Sequence, residues 1–315
     1  MGKRKQKEMI QEDGSSQQGQ FPAGAAPLSE LDLSDGFLFG EVMRDEETCR
    51  TVLEIILGRP VSRVVYANKE QQVEAGTGYH RYKGIRLDVY FRDEESTCYS
   101  VEMQTRNRYN LPKRSRHYQG MMDVQMLPAG EIDYNKLCDS ILIFICTFDL
   151  FGEGKLCYTF ENTCTELPGL KLHDGAVKIF LNTAGRGETE RDGLLAEFLR
   201  YVSDHNAPTE SPEVKQIRKR VEEVKKNQET EARYMTSITY AREVYEDGRM
   251  EGKADMVLEF LNELGDIPER IRTEICHEAD TERLTRWVKL AARSGSVREF
   301  EEKMHLDLSA LQESN

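Results

Sequence analysis

The chain has 315 residues, 38% of them hydrophobic and 31% charged, with a formal net charge of −13 and a pI near 5.1. That length accommodates one sizeable core, or one domain plus an appendage. The acidity argues against a protein that coats nucleic acid indiscriminately, because phosphate neutralisation drives such binding, though it leaves room for a local basic surface. The longest compact apolar run, ILIFIC at 141–146, is far too short to span a bilayer, and no apolar stretch follows the basic KRKQK at 3–7 to make a secretory signal.

Residues 1–27 are small and polar and end in Pro, Gly and Ala, so they read as a disordered tail. In LSDGFLFGEVM, Ser34 and Asp35 are candidate caps ahead of the apolar Phe37, Leu38 and Val42. TCRTVLEIILG then sets Cys49, Val52, Leu53, Ile56 and Leu57 at helical spacing, with Gly58 and Pro60 to stop the helix. A β-rich block comes next. Residues 61–72 read as a first strand, while 83–91 and 98–105 alternate on either side of a turn-like RDEEST and so predict a hairpin. A helix is expected from about Lys113 to Met126, with Pro112 at its start. SILIFICTF (140–148) has the continuous apolar character of a strand buried on both faces, and two shorter strands are expected at 156–162 and 176–182.

This order predicts an α/β domain over 28–205, a mixed sheet with helices against it. From Pro208 the chain turns charged, helix-favouring and nearly free of Pro and Gly. The apolar stripe Val214, Ile217, Val221, Val224 is thin, so a long exposed or self-associating helix is expected, within a separate helical region at 206–315. Short helices are expected around 268–277, 281–293 and 296–304. The seven cysteines are odd in number and scattered, with no CxxC pair, and the six histidines stand apart from one another and from the cysteines. Reduced thiols in a cytoplasm, and no zinc-type cluster, are the expectation.

Alternation assigns the faces of the hairpin. Leu87, Val89 and Phe91 share one face with Tyr99, Val101 and Met103; Arg86, Asp88 and Tyr90 share the other with Ser100, Glu102 and Gln104. A loop centred on Glu95 pairs Asp88 with Glu102, whereas a register two residues away pairs Glu102 with Arg86. The second arrangement is a surface ion pair, worth at most about 1 kcal/mol. The first sets two carboxylates about 5 Å apart, a repulsion that a hard divalent cation such as Mg²⁺ would remove. From Met103 to Met122 there is no acidic residue, while Arg106, Arg108, Lys113, Arg114, Arg116 and His117 are interleaved with Tyr109 and Tyr118. A carboxylate pair followed by a basic stretch has the parts of a metal-dependent phosphodiester-cleaving site: carboxylates for the metal, arginines for flanking phosphates.

RLDVYF, a short turn and YSVEMQ together resemble the core of the PD-(D/E)xK nuclease superfamily, and more closely the Rpn-type recombination-promoting nucleases and transposases. LSDGFLFGEVM with TVLEIILG is similar to that family's N-terminal helices, LPKRSRHYQGMM to its Arg/Tyr-bearing helix, EIDYNKLCDSILIFICTF to its lead-in to a buried strand, and AREVYEDGRMEGKADM to its Gly-punctuated C-terminal helices. The resemblance covers about residues 29–260. It implies a restriction-endonuclease-like mixed β-sheet core flanked by helices, and a Mg²⁺- or Mn²⁺-dependent DNA endonuclease. Asp88 and Glu102 would bind the metal, Gln104 would occupy the position of the superfamily's catalytic Lys, and Arg106, Arg108 and Arg114 would contact DNA. Asp35 falls at a recurrent N-terminal Asp that also suits a helix cap; Glu41 and Glu54 are further helix carboxylates. Leu87 stands where the superfamily name has Pro, and Gly40 where relatives often have Lys. The implied partner is DNA, with homo-oligomerisation through the C-terminal helices and no membrane. The alternative is a catalytically degenerate, mobile-element-derived protein that binds DNA or protein partners without cutting.

Overall fold

Capping chemistry sets the first helices of the computed structural model, which describes residues 25–68, 71–73, 85–87, 89–94, 97–127, 130–187 and 190–312. The tail expected at 1–27 lies outside the described residues up to residue 24. Helix α1 (Gly36–Val42) starts where the Asp35 carboxylate accepts the N–H groups of Phe37 and Leu38 at 2.9 and 3.0 Å. Helix α2 (Glu46–Leu57) starts at Asp45, which accepts both the N–H and the hydroxyl of Thr48 at 2.9 and 2.7 Å. Each such cap satisfies backbone donors that the helix itself cannot, and contributes about 1 kcal/mol. Gly58 ends α2 in a left-handed conformation, φ 62°, that glycine adopts without a Cβ clash.

Beyond α2 the chain forms β1 (Val64–Asn68), β2 (Gln71–Val73), β3 (Ile85–Leu87), β4 (Val89–Asp93), β5 (Cys98–Gln104), α3 (Leu111–Met126), β6 (Ser140–Cys146), β7 (Cys157–Phe160), β8 (Ala176–Asn182) and α4 (Glu190–Ser203). Six strands make one mixed sheet in the order β1-β4-β5-β6-β8-β7, and β2 pairs with β3 apart from it. Strands β5, β6 and β8 run parallel; β4, β1 and β7 are antiparallel to their neighbours. The expected mixed sheet flanked by helices is therefore present. Two expected strands are each divided: 61–72 and 83–91 both serve the main sheet with one part and the small β2–β3 sheet with the other. Helix α4, absent from the expected order, closes this part of the chain.

The parity of the strands separates two packing faces. On one, Tyr90, Cys98, Leu142, Phe144 and Phe180 pack against Leu111, Tyr118, Met121 and Met122 of α3, and Phe144 stacks on Phe180 with centroids 5.3 Å apart. Gln119 pins α3 to the start of β6 by donating to the carbonyl and hydroxyl of Ser140 at 3.1 and 2.9 Å. On the other face Ile141, Val177 and Ile179 look across a cavity of about 710 Å³ towards Ile55 and Ile56 of α2 and Leu195 of α4. Every residue of β6 is buried, as its unbroken apolar run predicts.

The reading of residues 212–225 as an exposed stripe is corrected. Helix α5 (Pro212–Lys225) buries Val214, Ile217, Val221 and Val224, which are 0–4% exposed, against α1, α2 and α4. A thin stripe suffices because the short connection from α4 folds the helix back onto them. Glu197 Oε1 accepts the N–H groups of Glu210 and Ser211 at 2.6 and 3.0 Å, and Arg218 donates to the carbonyls of His205 and Ala207 at 2.8 and 2.6 Å. The compact unit thus spans Ala26–Tyr234, past the boundary expected near 205. The first turns of α6 (Gln228–Leu264) complete it, with the Tyr234 hydroxyl donating to the Ala26 carbonyl at 2.8 Å.

From Met235 a second, helical unit begins. The later turns of α6 contribute Ala254, Val257, Leu258 and Leu261 at i, i+3, i+4, i+7 spacing to a core shared with α7 (Glu269–Cys276), α8 (Thr281–Ala291) and α9 (Val297–Gln312), with Trp287 fully buried within it. These three helices fall where short C-terminal helices were expected. Among the described residues, no helix is long and apolar enough to cross a membrane.

Ile217→Ala in the full-length chain is expected to lower stability by about 2–4 kcal/mol in urea unfolding, the cost of a core truncation. A change under about 0.5 kcal/mol would mean that α5 is a surface helix after all.

Candidate active site

Strand β5 lies inside the sheet, between antiparallel β4 and parallel β6, and every residue of it except Gln104 is buried. Its register with β4 sets Val89 opposite Val101, Tyr90 opposite Ser100, Phe91 opposite Tyr99 and Arg92 opposite Cys98. Of the two registers that the sequence permits, this is the one centred on Glu95. Asp88, and the side chain of Arg86, lie outside the described residues. On the other side of β5, Glu102 neighbours Phe144 and Gln104 neighbours Cys146.

Glu102 is 0% exposed, which overturns the surface placement that the alternative register gave it. Desolvating a carboxylate costs several kcal/mol unless a partner compensates. Arg114, in the first turn of α3, is such a partner: its Nη2 lies 3.2 Å from Glu102 Oε2, and its Nη1 donates to Gln104 Oε1 at 3.1 Å. The guanidinium rests over the ring of Tyr118, 4.7 Å from the centroid and one helical turn further along α3. Arg114, expected among the phosphate-contacting residues, thus turns towards the strand. Its side chain keeps 30% of its surface in solvent, so the pair sits at the boundary between core and water.

The other basic residues stand around that boundary. Arg106 and Arg108 are exposed in the segment joining β5 to α3, and Lys113, Arg116 and His117 are exposed on α3. The joining segment bends at Tyr109, whose φ of 55° is left-handed and whose N–H is held by Asn107 Oδ1 at 2.8 Å. Tyr109 is 88% exposed, so its ring is presented to solvent beside the arginines. All of this follows the C-terminal end of β5, one of three parallel strands, and the carboxyl ends of parallel strands are where open α/β sheets place their sites.

The donor chemistry suits a hard cation. A carboxylate oxygen of Glu102 and the amide oxygen of Gln104 already converge on one positively charged group, and oxygen donors are what Mg²⁺ or Mn²⁺ selects. Cys146 lies beside Gln104 on the neighbouring strand, and burial pushes its thiol up to about 12, so it is protonated in the metal-free protein.

The helix carboxylates have other work. Asp35 caps α1. Glu41 is 6% exposed and is held by Arg44 at 2.8 Å and Arg233 at 2.7 Å. Glu54 accepts the N–H of Val61 at 3.1 Å. A cluster that the sequence did not suggest brings Asp32, Asp204 and His205 together, with ligand atoms within 4.8 Å of one another. Asp204 and His205 are neighbours in the chain but Asp32 lies 173 residues before His205, so no spacing pattern could reveal the cluster. One oxygen of each carboxylate is engaged within the protein: Asp32 Oδ1 accepts the His205 N–H at 2.9 Å and lies 2.7 Å from His205 Nδ1, while Asp204 Oδ1 accepts the Asn206 N–H at 2.9 Å. It acts as a clamp between the N-terminal segment and the turn after α4.

A family model described as PD-(D/E)XK nuclease family transposase matches residues 35–248. No curated protein and no solved structure matches the chain.

Thiol titration tests the burial of the site strands. Treating native protein with a disulfide reagent at pH 8 is expected to modify exposed Cys276 and spare Cys146 until the protein is unfolded. Rapid modification of Cys146, located by peptide mass mapping, would contradict the buried, protonated thiol.

Proposed function

Since the chain belongs to the PD-(D/E)XK nuclease family of transposases, we propose that it is a divalent-metal-dependent DNA endonuclease of the transposase, recombination-promoting type. The observation that carries this reading is the buried Glu102 on β5, sharing one guanidinium with Gln104 at the carboxyl end of the strand. An inert sheet gains nothing from a carboxylate there, since an apolar residue of similar size would be as stable or more so.

Glu102 and Asp88 are the carboxylates that would hold Mg²⁺ or Mn²⁺. When bound, such an ion supplies polarisation of a phosphate oxygen and a water of lowered pKa. Gln104, its carbonyl oxygen engaged by Arg114, is left with its amide N–H groups to donate to the attacking water or to a phosphate oxygen. Arg106 and Arg108, exposed beyond the end of β5, would bind flanking phosphates and set the position of the strand. The apolar neighbours Phe144 and Tyr118 keep bulk water from the Glu102 side of the site.

One arrangement favours the second reading, a degenerate protein that binds DNA without cutting. Gln104 carries no charge where the superfamily has Lys, and Arg114, the cation in contact with it among the described residues, is also committed to Glu102. Binding of duplex DNA with no cleavage at any Mg²⁺ or Mn²⁺ concentration would establish that reading.

Supercoiled plasmid incubated with the protein and Mg²⁺ or Mn²⁺ is expected to be nicked, with the rate falling at least about a hundredfold in Asp88→Ala and in Glu102→Ala. Robust nicking by either variant would overturn the site assignment. Replacing Arg106 and Arg108 together by Ala is expected to weaken DNA binding on any sequence. The slope of log K against log salt should fall by about 2, close to one unit per lost phosphate contact. An unchanged slope would remove these arginines from the interface.

A further inference from the structure

We infer that Arg114 is a displaceable counter-cation, which holds Glu102 in the metal-free protein and must yield that carboxylate oxygen when a divalent ion binds. The inference rests on the reading of Glu102 as a metal ligand and goes beyond it, because it makes Arg114 a competitor of the metal as well as a neighbour of the site.

Three features of the geometry carry it. First, Glu102 is 0% exposed, and Arg114 Nη2 sits 3.2 Å from its Oε2, so a cation approaching that oxygen meets a guanidinium already there. Like charges a few ångströms apart in a partly buried site repel strongly. Second, Arg114 can leave. Its side chain is 30% exposed, and it stands in the first turn of a helix whose neighbouring Lys113 and Arg116 face solvent. Third, it has places to remain once it lets go. Nη1 is bonded separately to Gln104 Oε1 at 3.1 Å, and the guanidinium lies over Tyr118. Withdrawal by one contact therefore keeps the positive charge beside Gln104, where a phosphate would arrive, and releases Glu102 alone. Arg114 is in this sense a positioning residue that exchanges one anionic partner for another.

The test is Mg²⁺ and Mn²⁺ titration of the full-length protein by calorimetry without DNA, comparing wild type with Arg114→Gln, Arg114→Lys and Glu102→Gln. The Arg114→Gln protein is expected to bind the ion on the order of tenfold more tightly than wild type, because a competing charge is gone. Its metal-free melting temperature should fall, and Mg²⁺ should restore it by more than it raises that of wild type. Affinity that is unchanged or weaker in Arg114→Gln would overturn the inference, while wild-type binding that is abolished in Glu102→Gln would leave the nuclease reading standing. If Arg114→Gln does not melt cooperatively, Arg114→Lys takes its place, since a shorter, flexible ammonium lacks the fixed two-pronged fork by which the guanidinium holds Glu102 and Gln104 together. Tighter binding is then expected, and equal or weaker binding again overturns the inference. Binding that survives Glu102→Gln undiminished, or no binding by wild type and both Arg114 variants, would overturn the inference and the metal-site reading together.

Discussion

One ion pair organises this fold: a carboxylate at the centre of the sheet, Glu102, and a guanidinium brought to it from the helix above, Arg114. The pair dictates where α3 must lie. Arg114 reaches β5 only if the first turn of α3 sits over the end of that strand, and the β5–α3–β6 crossover places it there. It also dictates the rotation of the helix. With Arg114 turned to the strand and Leu111, Tyr118 and Met122 turned to the core, the 3.6-residue period leaves Lys113, Arg116 and His117 facing water. The basic surface of this acidic protein thus follows from the same constraint that neutralises the buried acid.

Energetically the pair is a poor way to stabilise a sheet. Two charges lose hydration, and their attraction in a low-dielectric setting does little more than offset that loss. The aromatic packing nearby, with Phe144 between Tyr118 and Phe180, supplies cohesion without any charge. Stability alone is therefore a weak reason for a glutamate at position 102, and the proposed metal-binding role would supply another. The contrast with Glu41 is instructive. That carboxylate is also buried, and Arg44 and Arg233 hold its two oxygens at 2.8 and 2.7 Å. It joins α1 to the start of α6, which is a structural task, and among the described residues no side-chain amide is bonded to it.

Periodicity made much of this architecture legible. The unbroken apolar run of β6, the bounds of β8 and the Asp35 and Gly58 helix signals are all local properties of the chain, and they were readable for that reason. Even the register of β4 on β5 could be narrowed to two choices by parity alone. The pairing of Glu102 with Arg114 was not readable, because it depends on how α3 crosses the sheet, which no alternation pattern encodes. The same holds for α5. Four apolar residues in fourteen look too few for a core helix until the α4–α5 connection, tied by Glu197 and Arg218, shows that three other helices provide the rest of the interface. Asp32 and His205 meet from opposite ends of the unit, beyond the reach of any local pattern. Of the carboxylates singled out in the sequence, Asp35 and Glu54 proved to hold backbone N–H groups, a role that spacing alone does not separate from catalysis.

If the resemblance sets Gln104 at the position of the superfamily's Lys, the exchange changes meaning once Arg114 is in view. Read along the strand, the site has lost a positive charge. Read in three dimensions, a positive charge is present at the same amide, donated from the neighbouring helix at 3.1 Å. A guanidinium cannot be deprotonated near neutral pH, so it cannot serve as a base, but it can steady developing negative charge on a phosphate. A lysine on β5 would be bound to the strand's own geometry; an arginine on α3 has a longer reach and alternative partners in Glu102 and Tyr118. On the proposed reading of Glu102 as a metal ligand, what the strand gives up in chemistry the helix would return as a movable charge, and that charge would first have to be drawn off the carboxylate.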